Sequence, residues 1–499
     1  MHSCIGLAGA ARYSVVVRRM CRASVCALLL ALSSSCAGSP VWPRLIERTT
    51  PVQKGADDAL WVFRNVNVFT GVEAQPWLNA QDVWIRAGRI ESVQPSGASL
   101  KEAAQIIEGA GKTLLPGYID SHVHLGSAAN LPWAPPVTES PEHNLSAYLY
   151  AGVTCVFDLG GDVARTLELR RQVDAGQLWG PRIFLTHRHI TGPGSHPLPM
   201  AQEMVPLPAR WLLDLWVDQI DTKEAARQHV QARIDAGVDY IKLNYDEMPP
   251  GTPKMDEQIL RDAILISHRH KKRVVVHATA SADIVTAAAA GADLIAHGPY
   301  RDLMSEVQAR ELASYQTPVI LTLSGFEARA LALKNRWVPH PMIRETTPAQ
   351  ILEPMLHGST AHEREYPQLF AIVHAGEAAR GDWEKSVTNM VQAGVPLFVG
   401  TDSALPGSYP GGSFHHELEL MHRLGVPLTE LLLGATSRPA RWVQKNADFG
   451  QVRPGFIADL VLLDGDPRTD FGVLHDIVDV WRAGRRVPRQ PISQPDNAL

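Results

Sequence analysis

Short apolar runs rich in β-branched residues recur along most of this chain, each bounded by Gly, Pro or charge. Eight of them are YIDSHVHL (118–125), VTCVFDLG (153–160), RIFLTHRH (182–189), DYIKLNYD (239–246), RVVVHAT (273–279), LIAHGP (294–299), TPVILTLS (317–324) and PLFVGTDS (396–403). Between them lie stretches whose apolar positions follow helical spacing and end in Gly, such as TKEAARQHVQARIDAG and SADIVTAAAAG. Eight repeats of strand then helix predict an α/β fold, a closed parallel (β/α)8 TIM barrel over 116–439. An open doubly wound sheet is the competing arrangement, but no G-x-G-x-x-G follows the first run.

The flanks follow a different rhythm. LWVFRNVNVFT, QDVWIRAGRIESV and AAQIIEG are β-like runs broken by turn signals, with a hairpin expected at Ala87-Gly88. The same texture returns at IADLVLLDG (457–465) and DIVDVWRAGRRV (476–487). Residues 59–115 and 440–490 are therefore expected to build one small β-sandwich domain from both chain ends. Residues 37–58 are polar and contain Pro, the composition of a linker.

Composition narrows the class. The 499 residues are 45% hydrophobic and 20% charged, with net charge −5, an ordinary soluble balance without electrostatic drive toward nucleic acid. Near the start, Arg18, Arg19 and Arg22 precede ASVCALLLAL (23–32) and then SSSCAGS, the order of an export signal over 1–36. Its apolar run is shorter than the roughly 20 residues that span a bilayer. Met20 is a second candidate start. The protein is thus expected to be exported, either free in the periplasm or tethered as a lipoprotein through Cys36. Ser33 stands where the lipoprotein pattern carries Leu, so plain cleavage near Ala37 and a lipid anchor both stay open. Four of the five cysteines (Cys4, Cys21, Cys26, Cys36) fall in this leader, and Cys155 alone cannot form a disulfide framework in the body.

Candidate chemistry sits at the ends of the barrel runs. His122 and His124 lie two apart, so on a strand both imidazoles face one side. Lys242 lies in the fourth run, His277 closes the fifth, His297 the sixth and Asp402 the eighth. Singly, each has an ordinary structural reading: a loop histidine bonded to backbone, a solvated lysine, a helix-capping aspartate. In a barrel, however, all C-terminal strand ends meet on one face. Imidazoles with a carboxylate suit zinc or a similar divalent ion. A protonated lysine cannot bind a cation, but a carbamate formed from Lys242 and carbon dioxide is an anion able to bridge two. Two such ions about 3.5–4 Å apart share and acidify a hydroxide, while Asp402 takes up the proton.

The order H-x-H, Lys, His, His, Asp, headed by PGYIDSHVHLG, resembles the metal-dependent amidohydrolase superfamily across nearly the whole mature chain. VGTDSALPG with HHELELMHRLGVPLTELLLGATSRPA, and then GQVRPGFIADLVLLDGDP, resemble the imidazolonepropionase-like and Xaa-Pro dipeptidase-like branch. The resemblance implies that His122, His124 and Asp402 hold the more buried metal, that His277 and His297 hold the other, and that carboxylated Lys242 bridges them. One departure matters. Deaminase relatives usually carry Glu three residues after the strand-five histidine, and HATA puts Ala280 there.

The expectation is therefore an exported binuclear hydrolase that cleaves the C–N bond of a small amide, acylated amino acid or dipeptide. The alternatives are a mononuclear deaminase or cyclic-amide hydrolase, and a binding protein that kept the barrel without catalysis. The loop THRHITGPGSHPLPM (186–200) offers His187, His189 and His196 on the catalytic face, and His187, His196 and Tyr245 are candidate substrate contacts. Asp246 is expected to support the site from behind, and AANLPWAPPVTES (128–140) is a candidate lid. Expected partners are a small molecule and, at Cys36, a lipid; self-association is open, and nucleic acid is not expected.

Overall fold

The computed structural model describes residues 45–46, 59–97, 104–134, 140–205, 207–357 and 360–490. The export signal over 1–36 with Cys36, and all of the linker except Leu45 and Ile46, lie outside the described residues.

Eighteen strands form three sheets among the described residues. The flanking strands are β1 (Leu60–Phe69), β2 (Trp77–Arg86), β3 (Arg89–Pro95), β4 (Ala104–Glu108) and β5 (Thr113–Pro116). They join β16 (Leu460–Leu463), β17 (Ile477–Arg482) and β18 (Arg485–Arg486) in one eight-stranded sheet, in the order β18-β17-β16-β5-β1-β2-β3 with β4 beside β1. The seam between the two chain ends is β5 against β16, antiparallel, with Leu460 opposite Pro116 and Leu463 opposite Thr113. The hairpin falls where the turn chemistry puts it. Ala87 and Gly88 both take positive φ, 49° and 79°, and Arg86 pairs with Arg89 across them.

The central strands are all parallel. β6 (Tyr118–Val123), β7 (Val153–Asp158) and β8 (Arg182–Leu185) form a three-stranded sheet. A seven-stranded sheet runs β10 (Val217–Gln219), β9 (His189–Thr191), β11 (Ile241–Asn244), β12 (Val274–His277), β13 (Leu294–Ala296), β14 (Val319–Ile320) and β15 (Leu397–Phe398). Backbone bonds tie the edges of the two sheets. Ser121 N–H donates to Val399 O at 3.0 Å on one side, and Asp239 N–H donates to Leu185 O at 2.9 Å on the other. The result is an α/β fold with mixed sheets.

All eight apolar runs contain strands, but the third divides. RIFLTHRH contributes β8 to one sheet and, after a three-residue break, the start of β9 to the other. β9 then pairs with the short β10, which the periodicity does not reveal because VDQ alone is too brief a signal. The helices between strands begin on side-chain caps. Thr222 accepts from Ala225 N–H at the start of Lys223–Asp235, and Ser305 with Gln308 forms a capping box before Glu306–Ser314.

The eight-stranded sheet buries its own apolar cluster. Phe63, Val83, Ile85, Leu114, Leu460 and Trp481 are almost fully enclosed, with Trp481 edge-on to Trp61 at 4.9 Å and to Phe63 at 5.4 Å. This cluster fastens the N-terminal strands to the C-terminal ones through apolar burial. Phe63→Ala is expected to lower stability by about 3–5 kcal/mol, read by urea unfolding. A loss below about 1 kcal/mol would mean that this face is not a packed core.

Candidate metal site

The six residues expected to share a site converge. His122 lies next to the end of β6 at 1% exposure, and His124 follows that strand. Lys242 stands in β11, His277 ends β12, and His297 and Asp402 sit just past β13 and β15 in left-handed backbone, at φ 82° and 59°. The His122 and His297 rings are 4.9 Å apart, and those of His277 and His297 4.4 Å. One ligand atom each from His122, His297 and Asp402 lies within 4.8 Å of the others. Asp402 Oδ1 is 3.0 Å from His122 Nε2 and 3.1 Å from His124 Nε2.

Hydrogen bonding at the back of the rings decides which nitrogen faces inward. His124 Nδ1 donates to Gly160 O at 2.9 Å, which leaves its Nε2 with a lone pair turned to a carboxylate oxygen. His297 Nδ1 donates to Thr322 Oγ1 at 2.7 Å, whose own proton goes to Leu321 O. His277 Nε2 donates to Asp246 Oδ2 at 3.1 Å, freeing Nδ1. In each ring one nitrogen is committed as donor, so the other is an acceptor. At His124 an acceptor therefore faces the Asp402 oxygen at 3.1 Å, and a proton or a cation between them relieves the repulsion. The donor set fits a divalent metal, and the anchoring of histidines by carbonyl, hydroxyl and carboxylate is the usual support of such ligands.

Lys242 adds a second fit. Its side chain is 1% exposed, and Nζ has no hydrogen-bond partner. Burial lowers its pKa to about 7, with the charge of Asp402 opposing. An amine held near neutrality is a competent nucleophile toward carbon dioxide, unlike an ordinary surface lysine. Burial likewise drives His122 down to about 3 and keeps His277 and His297 well below the usual imidazole range. Burial pushes the Asp402 carboxyl up, but the charge and hydrogen bonds of His122 and His124 outweigh it and hold Asp402 far below the usual carboxylate range.

Two features bring β15 onto β6. Gly400 has no room for a side chain: a Cβ there would meet Ile320 Cγ2 at 2.5 Å and His122 N at 2.9 Å. Asp120, fully buried, accepts from Thr401 N–H at 3.0 Å, from Thr401 Oγ1 at 2.7 Å and from His122 N–H at 3.2 Å. One carboxylate thereby holds the start of the Asp402 loop to the histidine strand.

The loop residues divide. His196 stacks on His277 at 4.5 Å, and His189 lies 5.9 Å from the His124 ring with Nδ1 3.3 Å from Asn244 Oδ1. His187 is half-buried elsewhere, accepting from Arg188 N–H within the charge field of Arg233 and Asp218. Tyr245 lies under Lys254, whose Nζ is 4.7 Å from its ring centre. Trp133 stacks on His362 at 5.0 Å and on Phe370 at 5.6 Å; residues 135–139 of the candidate lid lie outside the described residues. Arg301 and Thr279, which clamp Asp246 at 2.5 and 2.6 Å, escaped the sequence reading, although both stand within four residues of a site histidine.

A second group, His340, Glu419 and His475, also clusters. There His340 Nδ1 accepts from Met342 N–H at 3.1 Å, so its proton sits on the Nε2 that faces Glu419. That tautomer offers no lone pair to a metal. The group is a hydrogen-bonded anchor for the 471–475 turn.

The amidohydrolase family model matches residues 113–487. The fold superposes on a prolidase complexed with N-methylphosphonate-L-proline, with TM-score 0.68 and 26% identity, covering 87% of this chain and 100% of that one. An ochratoxinase from Aspergillus niger is 23% identical over 409 residues, 74% of this chain and 75% of its own length. An adenine deaminase from Moorella thermoacetica is 32% identical over 134 residues, which span 26% of this chain and only 20% of that protein. The chain belongs to the amidohydrolase family, a family of hydrolases that act on carbon–nitrogen bonds.

Proposed function

We propose that this protein is an exported hydrolase that cleaves the C–N bond of a small amide, acylated amino acid or dipeptide at a binuclear centre. Two divalent ions, zinc foremost, would be held by His122, His124, Lys242, His277, His297 and Asp402, with Lys242 carboxylated and bridging. The central strands would close as a (β/α)8 barrel over 116–439, and 59–115 with 440–490 would form the β-sandwich. The backbone bonds at both edges of the three-stranded sheet and the seam of β5 with β16 support that architecture. Similarity to the prolidase and the ochratoxinase supports a small peptide-like substrate.

The observation that carries the reading is the buried amine of Lys242, without a hydrogen-bond partner and within electrostatic reach of His122, His277, His297 and Asp402. A structural lysine would have an acidic partner or reach water. The neutral amine adds to carbon dioxide, forming an N–C bond and releasing one proton, and leaves two oxygen donors where a cation site needs anions. Bound divalent ions supply Lewis-acid polarisation of a carbonyl and acidify water. Asp402 then accepts the proton that the attacking water loses and delivers it to the nitrogen that leaves as the C–N bond breaks. Asp246, Thr322 and Gly160 keep three rings in the tautomers that present lone pairs.

Elemental analysis of purified protein is expected to find two ions per chain. Chelation should abolish hydrolysis of N-acyl amino acids or dipeptides, and zinc, cobalt or manganese should restore it. Lys242→Ala is expected to slow turnover by about 100-fold or more, with partial recovery in a short carboxylate such as propionate. Full turnover of that variant without added carboxylate would defeat the carbamate role.

Asp246→Asn removes the anion that holds the His277 proton. Metal affinity is expected to fall by about 10- to 100-fold at one of the two positions, measured by competition with a chromogenic chelator. Unchanged affinity at both would show that Asp246 serves only Arg301 and Thr279.

A further inference from the structure

Near the histidine cup lies a cavity of about 40 Å³, a few times the roughly 10–15 Å³ that a single water needs. Phe326 links the two regions: its ring is 5.7 Å from that of His297 and 4.8 Å from the Arg329 guanidinium carbon. Both Phe326 and Arg329 belong to the helix Leu323–Ala332 that follows β14. The walls include Leu131, Trp133, Met355, Phe370 and Val373, and Arg329 is the sole charged side chain among the lining residues described.

Arg329 is unusual in its partners. Nη1 donates to Pro406 O at 2.7 Å, four residues beyond Asp402, and the guanidinium makes no ion pair among the described residues. A guanidinium carries five N–H donors in a planar fork shaped for a carboxylate. Here that fork stands at the edge of an apolar, aromatic-walled chamber, where a charge-assisted bidentate pair is stronger than in water. The negative charge of Asp402 is felt at Arg329, so the cavity and the cup share one electrostatic neighbourhood. In an acylated amino acid or a dipeptide, the free carboxyl carbon is two bonds, roughly 2.5 Å, from the scissile nitrogen.

We propose that this cavity is the side-chain pocket of the substrate, shaped for an aromatic or bulky aliphatic residue, and that Arg329 pairs with that residue's free carboxylate. The proposal rests on the C–N hydrolase reading and narrows it to acylated or peptide-linked apolar amino acids with an unblocked carboxyl group. The bland account gives Arg329 a purely structural task, stacking on Phe326 and tying its helix to Pro406. The two differ in what they predict for ligands of identical shape and different charge.

Binding to the metal-loaded protein separates them without requiring turnover, because Trp133 in the wall reports occupancy by its fluorescence. The probes are 3-phenylpropionate and its neutral isostere 3-phenylpropanamide. The wild type is expected to bind the acid about 10- to 100-fold more tightly than the amide. Arg329→Gln should bring that ratio close to one, and Arg329→Lys should recover part of it. Phe370→Ala should weaken both probes together, keeping the ratio, which guards against a variant that merely misfolds. Equal binding of acid and amide by the wild type would overturn the proposal, and so would a preference that survives Arg329→Gln, since the acid would then sit on another cation. Failure of the parent reading shows elsewhere, as no turnover of any N-acyl amino acid or dipeptide by metal-loaded protein, whatever the binding ratio.

Discussion

The structure depends on a conflict between acceptors. Ring nitrogens of His122 and His124 stand 3.0 and 3.1 Å from the same oxygen of Asp402, and for His124 the proton is held on the far side of the ring by Gly160. Inside a protein such a confrontation costs far more than in water, because little solvent is present to screen it. Other buried carboxylates meet cations: Asp459 meets Arg182 and Arg482, and Glu327 meets Arg380, Arg423 and His416. At the cup the lone pair of His124 is turned toward Asp402 and its proton away, an arrangement suited to gaining a cation.

Holding that conflict in place demands rigid backbone, and the constraint reaches well beyond the ligands. Gly400 lets the Asp402 loop approach His122 N more closely than any side chain allows, and Asp120 bonds both strands from below. Burial pushes Asp120 up to about 7, yet it accepts three donors. Its bonds are spent on placing Asp402, so it is a positioning residue. The histidine strand is in turn backed by the apolar core around Tyr118, Val123, Tyr148 and Phe414, all fully enclosed.

How much of this was legible beforehand follows from the range of each signal. His122 and His124 were readable because strand alternation is local and puts residues two apart on one face. Lys242, His277, His297 and Asp402 were readable through the rule that parallel strands present their C-terminal ends together. The Ala87-Gly88 hairpin was readable because left-handed backbone favours that chemistry. Arg301 and Thr279 were not, because their role arises from reaching across to Asp246, a contact between residues more than 30 positions apart. His187 shows the converse. Its place in a histidine-rich loop on the expected catalytic side suggested a substrate contact, but the break between β8 and β9 turns it toward Arg233 and Asp218.

The distribution of protons among the buried carboxylates bears on the type of reaction. Asp246 is occupied by His277, Thr279 and Arg301, Asp120 by Thr401 and His122, and Asp158 by Thr166 and Gly160. Ala280 opens the helix after β12 without a side-chain cap bond, so no acid stands where a separate proton donor for a leaving nitrogen would be placed. Asp402 alone faces inward with nothing but ring nitrogens about its oxygen. A site with one mobile carboxylate has to use it twice, first as base toward water and then as acid toward nitrogen. That economy suits an amide, whose departing amine is basic enough to draw the proton as the bond breaks. It is poorly matched to loss of ammonia from a ring amidine, where the ring nitrogen also needs a proton before water adds. On the proposed reading, the carboxylate arrangement accords with amide cleavage, with Asp402 serving in turn as base and as acid.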